Sequence, residues 1–407
     1  MGYTKKALEG FGWLSTLKIG TKALAVGRII ILARLLSPRD FGVFGITTAV
    51  LALVERLSET GINTFLIQRG GQYEKYVNTA WVVSIIRGLL ITALLFGTAF
   101  FLPTFYAEPR LFLMLCLAAT IPWIKGFINP AIIKYWNALR YANEVVIRGI
   151  LAFIETIGAI FLALWLRSAE ALVLALIVSA VAEVVISHIF VSPRPKFLIQ
   201  MARLKDILRA SGWLNIGGLL VFLVNNLDDL IIGKLLGTQA LGYYQTTFRV
   251  AQSSVGEFGD LSAQTVFPIY TSIYQDRKRL RRAFFRSVVP LAFFLLIPMA
   301  LLFAYPMFFV TLVLGKQWIP IVAILPWLLG SGFFQAINTV MYQLYLAIRK
   351  PSYNAGILLL HLVAMVGLLI PLSQSRGLVG AGMAIFFSYL LIQPLHIFFA
   401  YRALRRS

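Results

Sequence analysis

Residues 31–50 read ILARLLSPRDFGVFGITTAV and residues 231–250 read IIGKLLGTQALGYYQTTFRV, two stretches that stand 200 positions apart throughout. Six of the twenty positions are identical: Ile31/Ile231, Leu35/Leu235, Leu36/Leu236, Gly42/Gly242, Thr47/Thr247 and Val50/Val250. Arg34/Lys234 keeps a cation at the same place. Each stretch ends one apolar run, makes a tight turn and begins the next. A second echo follows in the same order, with Ile121-Pro-Trp123 matching Leu325-Pro-Trp327 and Ala138-Leu-Arg140 matching Ala347-Ile-Arg349. Shared leucines carry little weight, because apolar segments align by chance. The glycine at the helix-starting turn and the preserved order of the echoes carry the argument. A duplicated apolar chain is the usual plan of a transporter.

Composition makes the membrane unavoidable. Of 407 residues, 59% are hydrophobic and 13% charged, against about 45–50% and about 25% in soluble domains. A spanning helix takes about 20 mostly apolar residues, and spans are expected at 12–36, 42–65, 79–102, 111–133, 144–166, 171–191, 213–236, 242–272, 287–304, 320–346, 353–373 and 377–400. The expected fold is an all-α membrane protein of about twelve transmembrane helices, in two pseudo-symmetric six-helix bundles around a central cavity. The N-terminal lobe covers 1–200 and the C-terminal lobe 201–407. The second begins with the amphipathic linker 201–211, whose basic residues sit on one side and suit the membrane surface. Six spans before the linker and six after make the repeat parallel.

Lys and Arg set the orientation, since positive loops stay in the cytoplasm. One set of alternate loops collects 22 of these residues and the other set five, Arg39, Arg110, Arg167, Lys316 and Arg376. The expectation is a multi-pass protein of the cytoplasmic membrane with both termini inside. The net charge of +21 is thereby a topology signal and an attraction to anionic membrane lipids, not a nucleic-acid footprint. The single cysteine, Cys116, excludes an internal disulfide and a cysteine metal site. Lys18 and Lys22 within the first apolar stretch make a poor cleavable signal, and Lys6 breaks a myristoylation pattern. No metal or cofactor is expected.

Ten cations lie within the expected spans: Lys18, Lys22, Arg28, Arg34, Arg56, Arg87, Lys125, Arg148, Lys234 and Arg249. Each costs about 2.5–3.5 kcal/mol near the bilayer centre on insertion scales. Arg148 has Glu144 one turn before it and Arg56 has Glu59 three residues on, so helical neighbours can neutralise both. Lys18, Arg34 and Lys234 lie near span ends and can snorkel. Arg28, Arg87, Lys125 and Arg249 have no acid at i±3 or i±4 and require a partner on another helix, water or a ligand. Guanidinium forks suit phosphate, so Arg28, Arg56, Arg87, Lys125 and Arg249 are the candidate substrate-binding residues, with interhelical salt bridges as the alternative. The acids Asp228, Asp229, Glu257 and Asp260 dominate the second lobe. Asp228 and Asp229 are candidates for proton or sodium coupling, and a polar patch gluing helices is the competing reading.

The stretch 31–42 with Gly61-Ile-Asn-Thr-Phe-Leu-Ile-Gln-Arg69, and above all Asn226-Leu-Asp-Asp-Leu-Ile-Ile-Gly-Lys-Leu-Leu-Gly237 with Ala240-Leu-Gly-Tyr-Tyr244, resembles the polysaccharide flippases of the multidrug/oligosaccharidyl-lipid/polysaccharide (MOP) exporter superfamily. Phe267-Pro268 with its basic loop, and Leu314-Gly-Lys-Gln-Trp318, look like family elements. The resemblance implies two bundles alternating between inward- and outward-open states. It implies transport of an undecaprenyl-pyrophosphate-linked oligosaccharide to the outer leaflet through a basic cavity; a monomer is expected. Some relatives carry two further C-terminal helices, absent from this reading, which leaves open where a long lipid tail rests. A membrane polysaccharide polymerase or glycosyltransferase needs a sizeable outside loop, and no expected outside loop exceeds about 16 residues. A multidrug-type cation-coupled antiporter of the same superfamily is the nearer rival; the excess of bases in the first lobe favours an anionic substrate.

Overall fold

Apolar runs this long, with no polar face, can satisfy their backbone in lipid only by hydrogen-bonding within each segment, as helix. The computed structural model describes residues 20–58, 61–134, 141–211 and 215–405, and among them there is no strand. They divide into two compact units, Met1–Leu219 and Leu220–Ser407.

The first unit holds α1 (20–35), α2 (Pro38–Leu57), α3 (Ile62–Gln68), α4 (Val77–Tyr106), α5 (Leu111–Gly126), α6 (Tyr141–Leu166), α7 (Glu170–Phe190) and α8 (Met201–Ser211). Ser37 caps α2, accepting from the Asp40 amide while the Asp40 carboxylate accepts from the Ser37 amide at 2.9 Å, a reciprocal cap that fixes the chain's turn. α4 and α5 approach closely. A Cβ on Gly88 would stand 2.5 Å from the Pro122 carbonyl oxygen, and Thr92 donates to the Ala119 carbonyl at 2.6 Å. The amphipathic α8 packs on this unit. Its Ile207 is fully buried against Phe65, Leu66 and Val77, with Leu204 beside them, and Tyr76 donates to Asp206 at 3.0 Å.

The second unit holds most of α9 (Asn215–Ala251), which passes through a π turn (Gln252–Gly256) into α10 (Glu257–Ile273), then α11 (Arg277–Ala304), α12 (Pro306–Val313), α13 (Leu325–Ala347) and α14 (Ser352–Arg405). α9 breaks at Gly237 (φ 85°, ψ 172°) and α14 at Gly377 (φ 56°, ψ −135°), conformations that a side chain strongly disfavours. Each break turns one long helix into two arms that touch: Tyr244 reaches back to Asp228, and His361 meets Ser388 at 3.1 Å.

The first echo coincides with a change of chain direction in both units. The turn at Ser37 before α2 and the break at Gly237 occupy equivalent positions of the two aligned stretches. The second echo does not fall at equivalent places, since Pro122 lies late in α5 and Pro326 in the first turn of α13; 138–140 lie outside the described residues.

Large apolar side chains point outward, Trp165 at 78% exposed and Phe293 at 69%, a surface that fits lipid rather than water. By length and composition, five helical segments of the described residues can cross a bilayer: α4, Val146–Leu166, α7, α11 and α14. They become six if Lys316–Ala323 and α13, which meet at 64°, form one broken span. Several other expected spans sit in helices that are short or carry embedded charge. α2 contains Arg39, Asp40, Glu55 and Arg56, and α9 contains Asp228, Asp229 and Lys234.

Candidate functional site

The basic side chains of the first unit take distinct positions. Arg28 on α1 forms an ion pair with Glu155 on α6, each about a quarter exposed. Arg87 on α4 donates through Nε to the Ser58 carbonyl at 2.7 Å and through Nη2 to the Glu55 carbonyl at 3.0 Å. Those are the last carbonyls of α2, and Arg56 lies in the same last turn. The Arg87 guanidinium thus stands where the helix leaves its acceptors unfilled and its dipole is negative, in the turn to which Arg56 belongs. Lys125 ends α5 and is exposed. Arg56 and Arg87 are therefore brought together at one helix end, Arg28 belongs to a separate α1–α6 contact, and Arg249 lies in the other unit. The expected Arg56 partner, Glu59, lies outside the described residues, as does Lys18.

In the second unit the Gly237 break folds one arm of α9 on the other and buries a polar group. Tyr244, 1% exposed, donates to the Asp228 carboxylate, and Gln245 donates to Asp229 at 2.7 Å. Arg249 interacts electrostatically with Asp229, and Tyr389 on α14 with Asp228. Two acceptors here are buried without a donor among the described residues, Asp228 Oδ1 and Gln245 Oε1. Unpaired oxygens in a dry site are costly.

An ion-pair cluster stands at the start of α2, and it takes up two cations that spacing assigns only to loops, Arg39 and Arg110. Arg39 donates to Glu108 at 2.7 Å, Arg110 to Asp40 at 2.5 Å, and the carboxylates of Glu108 and Asp40 are almost fully buried. The Glu108 hydrogen bond, reinforced by its charge, raises the Arg39 guanidinium above its ordinary pKa. The available signal was the Ser37-to-Asp40 spacing of a capping box. In the second unit the equivalent corner is aromatic: fully buried Trp318 meets Tyr243 edge to face at 5.9 Å. This accounts for Leu314-Gly-Lys-Gln-Trp318, whose Gly315 turns the chain at φ 106°.

Apolar helices broken at glycines, cations held within them and a lipid-suited surface define a multi-pass helical membrane protein of transporter type. Its fold matches an inward-facing multidrug resistance MATE family transporter of the MOP superfamily, with TM-score 0.73, 13% identity and 94% of each chain covered. It also matches lipid II flippase MurJ in an inward closed conformation, with TM-score 0.75, 15% identity, 95% of this chain and 87% of that one. The protein belongs to the polysaccharide biosynthesis protein family, whose model matches residues 31–323. Lipopolysaccharide biosynthesis protein WzxC of Escherichia coli (strain K12) is 22% identical over 98% of this chain and 81% of its own length. Teichuronic acid biosynthesis protein TuaB of Bacillus subtilis (strain 168) is 22% identical over 88% and 75%.

Proposed function

We propose that the chain is a flippase that carries an undecaprenyl-pyrophosphate-linked oligosaccharide from the inner to the outer leaflet of the cytoplasmic membrane for polysaccharide assembly. The observation that carries this reading is the set of cations held inside the apolar helices of the first unit, Arg28, Arg56 and Arg87, in a chain of this family. Cations in that setting suit a pyrophosphate, and the relatives' names connect them with lipopolysaccharide and teichuronic acid biosynthesis. A succinoglycan biosynthesis transport protein, ExoT of Rhizobium meliloti (strain 1021), is a further relative, 24% identical over 70% of this chain.

In this reading the twelve expected spans form two six-helix lobes, 1–200 and 201–407, which alternate between inward- and outward-open states around a shared cavity. Arg28, Arg56, Arg87, Lys125 and Arg249 hold the pyrophosphate. For Arg28 this entails exchange of Glu155 for substrate during the cycle, because a guanidinium cannot serve both at full strength. The orphaned oxygens of Asp228 and Gln245 support a cation, proton or sodium, bound at Asp228 and Asp229 to drive the change. The chain works as a monomer.

The test is flipping of a fluorescent lipid-linked oligosaccharide in proteoliposomes. Arg28→Ala and Arg249→Ala are expected to slow it by at least about tenfold, the loss of one charge-assisted phosphate contact, while a cationic dye is not moved by the wild type. Undiminished flipping in both variants would reject the basic site, and dye transport without lipid flipping would favour the multidrug rival.

A further inference from the structure

The first ten residues of α11 carry six cations, Arg277, Lys278, Arg279, Arg281, Arg282 and Arg286. The positive end of a helix dipole is the wrong place for them, and α11 has no acid in its first turn beyond its capping Asp276. Arg277 donates to the Ala403 carbonyl at 3.1 Å, and Arg279 pairs with Asp276 at 3.2 Å. Lys278, Arg281, Arg282 and Arg286 are exposed and carry no ion pair among the described residues. Four exposed cations that oppose their own helix and carry no ion pair suit an anion from outside the chain.

What lies above this row points to the kind of anion. Arg282, Arg286 and Pro290 follow at four-residue spacing on one face of α11, and at Pro290 a groove of about 330 Å³ opens between α10 and α11. Phe258, Leu261 and Ser262 line it from α10; Ser287, Pro290 and Phe294 line it from α11. The small serines and the proline leave the space, and Leu261, half exposed, marks its open side. Phe258 and Phe294, edge to face at 4.8 Å, wall the far end.

We propose that this groove and row form a binding site for one anionic phospholipid, with its phosphate on Arg282 and Arg286 and one acyl chain against the Phe258–Phe294 pair. At 1.5 Å per residue, Arg282 to Phe294 spans about 18 Å, the scale of a membrane acyl chain and far less than a long polyprenyl tail. The cations stand at the exposed start of the helix, so they hold a headgroup at the interface, whereas a flipped substrate must leave it. Apolar lining and unopposed positive charge together select an anionic amphiphile.

The full chain in phosphatidylcholine nanodiscs, doped with phosphatidylglycerol carrying a photoreactive diazirine on one acyl chain, tests the site by mass mapping of the labelled peptides. Labelling is expected to concentrate at 258–262 and 287–294 and to fall about tenfold when the same photoreactive chain is borne by phosphatidylcholine. Arg282→Gln with Arg286→Gln should produce a similar fall. Arg282→Lys with Arg286→Lys should retain the signal, which separates loss of charge from loss of fold. Ser287→Phe should fill the groove and move the label elsewhere. Equal labelling by the neutral lipid, or labelling indifferent to both the Gln pair and Ser287→Phe, would overturn the site. Displacement of the probe by polyprenyl pyrophosphate but not by unlabelled phosphatidylglycerol would also overturn it, in favour of a substrate tail. The readout is binding and not transport, so it stands or falls separately from flipping.

Discussion

Arg28 and Glu155 are separated by 127 positions in the chain and meet as an ion pair between α1 and α6. Removing one partner leaves the other charged in a poorly solvated site, which costs more than the pair itself contributes. Arg28→Ala and Glu155→Ala are each expected to destabilise the protein by about 1–3 kcal/mol. The double variant should recover most of that loss, a coupling read from thermal unfolding of the four proteins in detergent. Additive losses would show that the two side chains do not interact in the membrane. The need for a partner was legible in the sequence, because Arg28 has no acid one helical turn away. Its identity was not: neighbours at i±3 and i±4 can be read from spacing, whereas a contact between distant helices depends on how they pack. Arg87 illustrates the same limit from another side. It donates to the backbone carbonyls of Glu55 and Ser58, and no side-chain pattern advertises a free carbonyl.

Pairs of helices depend on where backbones can approach, and α4 with α5 is a close-packed case. A Cβ at Gly88 would sit 2.5 Å from the Pro122 oxygen and 3.3 Å from the Trp123 Cα, both backbone atoms that cannot step aside alone. Gly88→Ala should therefore force the helices apart and cost about 1–3 kcal/mol, as overpacking does in a close-packed core. Gly97 on the same helix has open space around its would-be Cβ and provides the control, with Gly97→Ala neutral or slightly stabilising in the same melt. Element boundaries were legible where local chemistry decides them, as at Ser37, where the cap and Pro38 start α2, and at Gly237, where the aligned repeat places a turn. The second echo is less legible, because an apolar triplet with proline fits both the last turns of α5 and the first turn of α13. Hydropathy admits five or six crossings among the described residues, and the charges in α2 and α9 depress the windows there.

For the whole chain, the strongest remaining constraint is its charge distribution. Twenty-two cations in one set of loops against five in the other require an even number of crossings between the termini if all of the basic loops are to remain cytoplasmic. The comparison that matters lies around α11 to α14. One expected span separates Lys278 from Lys316, two separate Lys316 from Arg376, and one separates Arg376 from Arg405, and all four side chains are exposed. In a Cys116→Ala background, Lys316→Cys and Arg376→Cys should react with a membrane-impermeant maleimide on intact cells. Lys278→Cys and Arg405→Cys should react only after the membrane is opened. If Lys316→Cys were protected with Lys278→Cys, α11 would not cross and the basic loops would fall on both sides. The charge asymmetry would then have no physical cause, and an alternating-access cycle built on two six-helix lobes would lose its geometry.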